Sequence, residues 1–422
     1  MKPNVESLPP SAKRERLRVL ISAYACEPGK GSELGIGWGT VNALSELHDL
    51  TVLTRSSNRE TIESEPNPNC IQFVYYDLPK ALRWWKKGAR GVQIYYFLWQ
   101  LGVRRILYRL LEHENFDICQ HLTWGRCWMP CVFYSFKMPY IFGPVGGVEK
   151  TPLCLRSSLP TFERLKEAVR DCAIIVVGKL PPVRKSIVNA ACILAATEDA
   201  MRYVKLRGAV DVRLVTNSGI SNLDYNHLSG LKPPPPVPVR FFSMGRLIAW
   251  KGFHLGLKAF AASKVENAEY WIVGDGPERK RLEKLAKKLG IAKRVRFWGW
   301  VERHDALCLL EKSHALVHPS FHDSGGLVCA EAMAARRPVI CLNLGGPAVQ
   351  VTEEAGYIID AVSKSDVIYQ IADAMKEIVL HAGVIDEKGS AGQREVFNKL
   401  IWSSRALYLS RLYQEIIDRN NA

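Results

Sequence analysis

Short apolar segments alternate with longer segments of helical periodicity along almost the whole chain. The short segments are rich in Val, Ile, Leu and aromatic residues, which predicts buried strands. Buried strands that alternate with helices are typical of parallel sheets with helices on both faces. In the first half of the chain the predicted strands cover residues 18–23, 50–53, 71–75, 118–121, 140–142, 193–196 and 213–216.

A proline-rich stretch separates this series from a second one. Prolines occupy positions 233–236 and 238, and four consecutive prolines cannot lie inside a helix or strand, so we predict a stiff linker. The second series has predicted strands at 241–244, 270–273, 295–298, 315–318 and 339–342. Predicted helices lie between and after them at 253–262, 279–289, 304–312, 326–335 and 365–380.

Two such series joined by a linker predict an α/β protein in which two doubly wound domains face each other across a cleft. We predict a first Rossmann-like domain at residues 1–227, the linker at 228–239 and a second Rossmann-like domain at 240–392. A helix within 393–422 could pack back across either domain, and we predict that it packs on the first domain.

Composition restricts the function classes. Among 422 residues the Lys and Arg residues exceed Asp and Glu by 15, which favours anionic partners. No apolar segment approaches the 18 or so residues of a membrane-spanning helix, and the segment at 19–26 predicts a buried strand rather than a signal sequence. The eleven cysteines include no Cys-x-x-Cys pair, so we expect reduced thiols, no metal site and a cytoplasmic protein.

A basic segment from Lys80 to Leu111 carries eight Lys or Arg residues and no Asp or Glu. Trp84, Trp85 and an aromatic group at 95–99 lie within it. Basic, aromatic, amphipathic segments are typical of proteins that bind anionic membrane surfaces. The alternative is a solvated basic helix whose aromatic side chains belong to the core.

Two carboxylates, Asp323 and Glu331, flank a glycine pair at the start of a predicted helix. Gly325 and Gly326 would form the first turn, where free backbone N–H groups and the helix dipole make an anion site. Leu327 begins the helical pattern. The alternative is an Asp323 that caps the helix and a solvated Glu331.

Other candidates lie at the ends of predicted strands. Arg246 and Lys251 are five residues apart on a strand-to-helix loop and would suit two phosphate groups, although an ordinary basic loop has the same pattern. His121 ends a predicted strand, where it could face the cleft or serve as a structural histidine. The chain has no Asp-x-Asp motif, so a metal held by such a pair is not expected.

Several motifs together resemble one family. The Arg246 and Lys251 loop, the glycines at 274 and 276, and the order Asp323, Glu331, Pro338 and Gly345–Gly346 are similar to retaining glycosyltransferases of family 4, which have the GT-B fold. In the first half, the motifs at 31–33 and 143–147 resemble acceptor-side loops of bacterial members that build extracellular polysaccharide or lipopolysaccharide.

The resemblance implies transfer of a hexose-type sugar from a nucleotide diphospho-sugar, linked to UDP or GDP, without a metal cofactor. The acceptor would be a glycan or a lipid-linked glycan, so the enzyme would act at the inner face of the cytoplasmic membrane and contact it through residues 80–111. The residues implied for the donor site are Gly31, Ser32, Arg246, Lys251, Trp300, Asp323, Gly325, Gly326, Leu327 and Glu331, with His121 beside the reacting sugar.

Within that set the resemblance assigns the diphosphate to Arg246 and Lys251, the ribose to Glu331, the base to the stretch around Trp300 and the donor sugar to Asp323. Two positions depart from the family pattern. Asp323 stands where Glu is usual, and Arg336 stands where Gly is usual at the end of the helix.

Two other functions fit parts of the sequence. A sugar-nucleotide epimerase has the same fold, but the two carboxylates with the two cations favour transfer. A nucleic-acid-binding protein would suit the positive charge, but no recognition helix or RNA-binding sheet motif is present, so nucleic acid is not an expected partner.

Overall fold

The computed structural model describes residues 16–66, 69–86, 88 and 91–421. Lys87 and Arg90 of the basic segment lie outside these residues. In the first domain one parallel sheet consists of β1 (Arg18–Ala23), β2 (Asp49–Arg55), β3 (Gln72–Tyr76), β4 (Ile118–Thr123), β5 (Tyr140–Val145), β6 (Cys192–Ala195) and β7 (Val212–Leu214).

The strand order β3-β2-β1-β4-β5-β6-β7 places β1 and β4 side by side, with the chain winding outward from them in both directions. Successive residues of β1 point to opposite faces of the sheet. Val19 and Ile21 lie in the core on one face, and Leu20 lies in the core on the other face. The helices of this half are α1 (Ser32–Ser45), α2 (Arg59–Glu63), α3 (Val92–His113), α4 (Leu153–Arg156), α5 (Thr161–Val177), α6 (Pro181–Val188), α7 (Glu198–Lys205) and α8 (Asn222–Ser229).

The second domain repeats this plan with the order β10-β9-β8-β11-β12-β13. Its strands are β8 (Val239–Met244), β9 (Ala268–Val273), β10 (Val295–Gly299), β11 (Ala315–His318), β12 (Val339–Leu342) and β13 (Gly356–Ile359). Its helices are α9 (Phe253–Ser263), α10 (Arg279–Lys288), α11 (Arg303–Glu311), α12 (Leu327–Ala334), α13 (Pro347–Gln350), α14 (Lys364–Leu380) and α15 (Gly383–Glu395).

The prediction of two doubly wound α/β domains is therefore confirmed. The edge strand β13 was missed because its apolar run is short and follows two glutamates and a glycine. Arg336 has a left-handed backbone with φ of 59°, as a residue at a usual glycine position would need.

The chain crosses between the domains more than once, so the observed boundaries differ from the predicted ones. Ile220, predicted in the first domain, and Leu228, predicted in the linker, both lie in a core of the second domain. At the C-terminus, Val396 and Leu400 still belong to that second-domain core. The last helix, α16 (Trp402–Asn421), returns to the first domain and covers one face of its sheet.

We predicted that the aromatic group at 95–99 contacts a membrane. For Tyr95, Tyr96 and Trp99 that prediction is wrong. Tyr95, Tyr96 and Trp99 on α3 are buried in the core beneath the first sheet. Helical periodicity places them on the inward face, so the cations of the segment lie around a core helix. Trp84 remains exposed, and Arg83 lies 3.5 Å from a carboxylate oxygen of Asp77.

Replacement of Leu412 by Ala tests whether α16 stabilises the first domain. Leu412 is 1% exposed and packs against the first sheet, so its truncation should lower the free energy of unfolding by about 2–5 kcal/mol. Leu407→Ala on the same helix, where the side chain is 46% exposed, is the matched control and should change it by less than about 0.5 kcal/mol. Urea unfolding measures both, and equal effects would contradict the packing.

Candidate active site at the facing strand ends

The candidate residues of the second domain come from two loops that follow adjacent strands. The loop after β8 carries Arg246 and Lys251, and the loop after β11 carries Asp323 and the glycine pair. The strands β8 and β11 are the neighbours at which the winding direction reverses. In open α/β sheets the carboxyl ends of such strands form the ligand-binding crevice.

Close backbone packing holds these two loops together. Gly252 has φ of 71°, and a Cβ atom there would overlap the carbonyl oxygen of Pro319. Because only glycine permits this approach, Lys251 comes beside Asp323, and the ammonium of Lys251 donates to the Asp323 carboxylate. The Nε2 atom of His318, at the end of β11, lies 3.3 Å from the same carboxylate.

Electrostatics keep Asp323 ionised. Burial alone would raise its pKa, but the contacts with His318 and the charge of Lys251 hold the pKa well below its ordinary value. Burial lowers the pKa of His318, against the opposite influence of Asp323. Asp323 does not cap α12, because Gly326 occupies the cap position and no side chain bonds there.

A second pair of glycines fixes the backbone of Asp323. The N–H of Gly346 donates to the Asp323 carbonyl at 2.6 Å, and a Cβ atom at Gly345 would overlap that carbonyl. Gly326 has φ of 83° at the start of α12. The loop therefore reaches the helix with its first N–H groups free of side-chain caps.

Glu331 lies inside the protein rather than on a solvated face. Its side chain is 2% exposed, and Nη1 of Arg303 donates to it at 2.5 Å. Arg303 also lies 3.4 Å from Asp224, which precedes the linker. Burial raises the pKa of Glu331, while Arg303 lowers it.

Arg246, on the loop after β8, and Trp300, which follows the edge strand β10, are both exposed. Arg246 makes no ion pair with any residue that the structure describes. Its loop is supported by the glycine turn at 274–276: the N–H of Leu247 donates to the Asp275 carbonyl at 2.9 Å, and a Cβ at Gly274 would overlap the carbonyl of Gly245. Trp300 is 70% exposed.

The first domain contributes Gly31 and Ser32 to a cavity of about 650 Å³ between the domains. These residues begin α1, and Ser32 has a positive φ of 56°. Leu327 and Arg303 line the same cavity from the second domain. The structure therefore brings predicted residues of both halves to one cleft.

The acceptor-side loop predicted at 143–147 also faces the donor loop. A Cβ atom at Gly146 would lie 3.0 Å from Oγ of Ser324, which adjoins Asp323. Asn217 and Ser218 of the first domain also come close to this loop, because a Cβ atom at Gly325 would lie 3.1 Å from a side-chain oxygen of each. The two halves thus meet at the glycine-rich loop itself.

The expectation that His121 faces the cleft is wrong in this structure. Its ring is fully buried: β4 continues to Thr123, so His121 lies within the strand, where its ring packs against Tyr96 and Phe142. Its Nε2 lies 2.9 Å from the hydroxyl of Tyr96, and burial lowers the pKa of the ring to about 4. His121 is therefore a structural histidine, which was the alternative to a residue that faces the cleft.

Sequence reasoning missed three polar residues of the site. His318 ends a predicted strand, as His121 does, and Arg303 directly precedes the helix predicted at 304–312, so both residues carried a local signal. The third, His322, lies 3.0 Å through Nε2 from a carboxylate oxygen of Glu167 on α5 and stacks on Trp250. A contact over 155 residues leaves no local signal.

Glu167 and His322 form an interdomain latch with Arg170 of the same helix. Thr151 donates to Glu167 at 2.8 Å, and a nitrogen of Arg170 lies 3.4 Å from Nδ1 of His322. Burial raises the pKa of Glu167, but His322, Thr151 and Arg170 outweigh it and lower the pKa to about 2. The carboxylate is therefore charged wherever the protein is folded at ordinary pH.

Among the described residues no group of three His, Cys, Asp or Glu side chains is placed to hold a metal ion. Within the same residues, no helix has both the length and the apolar character needed to cross a bilayer.

Residues 233–383 match the family model of glycosyl transferases group 1. Among solved structures, sucrose-phosphate synthase from Thermosynechococcus elongatus superposes with a TM-score of 0.65 at 17% identity, covering 96% of this chain and all of the other. The chain has the GT-B fold. Anabaena HepE in complex with UDP and glucose has a TM-score of 0.56 at 15% identity, over 95% of this chain and all of that one.

A curated relative matches part of the GT-B chain. The lipopolysaccharide core biosynthesis glycosyltransferase LpsD of Rhizobium meliloti is 39% identical over 134 residues, which are 29% of this chain and 38% of the relative. The chain spans less than half the length of the first curated relatives that it matches.

The latch predicts a pH-dependent contribution to stability. Because the pKa of Glu167 is lower when folded than the roughly 4.3 of an unfolded glutamate, its contribution is full above about pH 5 and is lost as the pH falls towards 2. Glu167→Gln should therefore reduce the free energy of unfolding by roughly 1–3 kcal/mol at pH 7, and by progressively less between pH 5 and pH 3.

Urea unfolding at several pH values measures this difference. Glu163→Gln, on the same helix and paired with exposed Lys166, is the control and should change stability by less than about 0.5 kcal/mol. A Glu167→Gln penalty that stays constant down to pH 3 would contradict the lowered pKa.

Proposed function

We propose that the protein is a metal-independent, retaining glycosyltransferase of family 4 that transfers a hexose-type sugar from a UDP- or GDP-linked donor to a glycan. One observation carries the proposal: two cations, two carboxylates and a glycine-rich helix start meet at the strand ends of the second domain. The match to group 1 glycosyl transferases supports it, because it covers this region.

Each group has a role that its surroundings suit. Arg246 is exposed and would bind the diphosphate with its guanidinium fork. Lys251 uses one N–H group in its hydrogen bond to Asp323, and its other N–H groups could donate to the diphosphate. The ionised carboxylate of Asp323 would accept hydrogen bonds from hydroxyl groups of the donor sugar. Glu331 would bind the ribose, and the exposed ring of Trp300 would stack on the base.

The chemistry then needs little beyond positioning and charge stabilisation. An acceptor hydroxyl bonds to the anomeric carbon on the face from which the diphosphate departs. The electron pair of the broken bond goes to the diphosphate, and the hydroxyl proton passes to one of its oxygens. Arg246, Lys251 and the first N–H groups of α12 would stabilise the growing negative charge.

The acceptor would bind at the first domain, opposite the donor loop. Gly146 faces Ser324 there, and Gly31 and Ser32 line the cleft. Since LpsD is named for lipopolysaccharide core biosynthesis, we propose a glycan or lipid-linked glycan of the bacterial surface as acceptor. The enzyme would then work at the inner face of the cytoplasmic membrane.

A thermal-shift screen with several UDP- and GDP-sugars tests the donor, and release of free UDP or GDP tests the reaction. Release that requires an acceptor supports transfer, whereas conversion of the sugar nucleotide without acceptor would indicate an epimerase. Added EDTA should leave the rate unchanged.

Arg246→Ala should lower turnover by roughly 10²–10³-fold, because it removes a cation from the leaving diphosphate. Its folding should be intact, since the side chain is exposed. Lys293→Ala, another exposed cation of the same domain, is the control and should keep full activity. Wild-type turnover in folded Arg246→Ala would remove this residue from the chemistry.

The two carboxylates should separate in calorimetry. Glu331→Gln should weaken the binding of free UDP or GDP, because the ribose would lie against it. Asp323→Asn should leave the affinity for the free nucleotide nearly unchanged and weaken the intact sugar donor. A reversed or missing difference would contradict the assigned orientation of the donor.

A further inference from the structure

Helix α5 is amphipathic, but its apolar side faces solvent. Phe162, Leu165, Val169 and Val176 are 65%, 61%, 62% and 64% exposed. Their spacing of three, four and seven residues places them on one side of the helix, together with exposed Cys172. We call these five residues the outer stripe.

The opposite side of α5 is polar and is held by partners. Asp171 accepts from Nη2 of Arg156 at 2.5 Å, Glu167 belongs to the latch, and Arg170 donates to the carbonyl of Glu149. Rotation of the helix to bury the outer stripe would leave these buried charges without their partners, which is strongly unfavourable. The apolar side is therefore fixed outward.

Basic residues surround the outer stripe. Residues 161–188 contain six Lys or Arg and three acidic residues, and two of those acids, Glu167 and Asp171, are buried and paired inward. The exposed cations of this stretch are Arg164, Lys166, Lys179, Arg184 and Lys185. The surface thus presents apolar side chains within a positive field.

We propose that the outer stripe docks on the surface of an anionic lipid bilayer. The inference rests on the proposed function, in which the acceptor is lipid-linked, and it names the surface that meets the lipid. The apolar side chains would enter the boundary between headgroups and acyl chains, and the nearby cations would be attracted to the anionic headgroups.

A second copy of the chain fits this surface less well. The helix is about 26 Å long, so one face about 10 Å wide covers roughly 260 Å², well below the 800 Å² per partner of a stable dimer. Paired copies would also bring like charges together. A bilayer has neither restriction.

Docking there would place the donor loop close to the lipid. The inward side of α5 contacts His322, the neighbour of Asp323, so the helix that meets the membrane also touches the loop that would hold the sugar.

Vesicle sedimentation tests the proposal with the full chain. Wild type should bind vesicles of phosphatidylcholine with phosphatidylglycerol at low salt, release them at high salt, and ignore phosphatidylcholine alone. The triple variant Leu165→Ser, Val169→Ser and Val176→Ser should bind at least about tenfold more weakly. The matched control replaces three exposed apolar residues outside the first domain, Val237→Ser, Val362→Ser and Leu380→Ser, and should bind like wild type.

A polarity-sensitive fluorophore gives a second readout. Attached to Cys172 in a Cys70→Ser background, it should shift to the blue on anionic vesicles; attached to Cys70 in a Cys172→Ser background, it should not. Wild type that ignores anionic vesicles at low salt overturns the proposal. So does a dimer in solution that the triple variant dissociates.

Calorimetry with UDP and GDP separates this test from the proposed function. Nucleotide binding by the triple variant should equal that of wild type. Lost lipid binding with intact nucleotide binding by wild type would refute only the docking surface, whereas failure to bind any nucleotide would refute the donor site.

Discussion

The ion pair between Lys251 and Asp323 joins the two loops on which the candidate site depends. Both side chains are largely withdrawn from water, and a carboxylate in that position is tolerated only where partners replace its hydration. Lys251 and His318 supply them, and Gly252 permits the backbone approach that brings Lys251 into reach. The glycine pair at 345–346 then fixes the backbone of Asp323, so the loop, the helix start and the cation form one rigid unit.

The sequence supports accurate strand and site predictions where the signal is local. β1, β11 and β12 were predicted at their observed bounds, since each is a continuous apolar run between turn residues. The loop residues from Arg246 to Glu331 come together because strand ends in a parallel sheet lie at one edge. Periodicity also explains the aromatic residues of α3: one helix can be basic outside and aromatic inside, and composition alone does not separate the two faces.

What the sequence did not reveal depends on contacts between distant segments. His121 carries the signal of a strand-end histidine, but β4 continues to Thr123, so the ring lies within the strand and packs against Tyr96 and Phe142. Glu331 reads as a solvated helix residue until Arg303 covers it from another helix. The latch of Glu167 with His322 joins two domains, and no window along the chain contains both partners.

The return of α16 to the first domain has a consequence for biosynthesis. Tyr413 donates to Gln120 of the central strand β4, and its neighbours on α16 complete one core of the first sheet. The ribosome delivers the strands of the first sheet early, yet one face of that sheet stays uncovered until α16, which follows the whole second domain, has been translated. A chain that terminates before α16 would therefore carry a bare apolar sheet face and would be a substrate for chaperones and proteases.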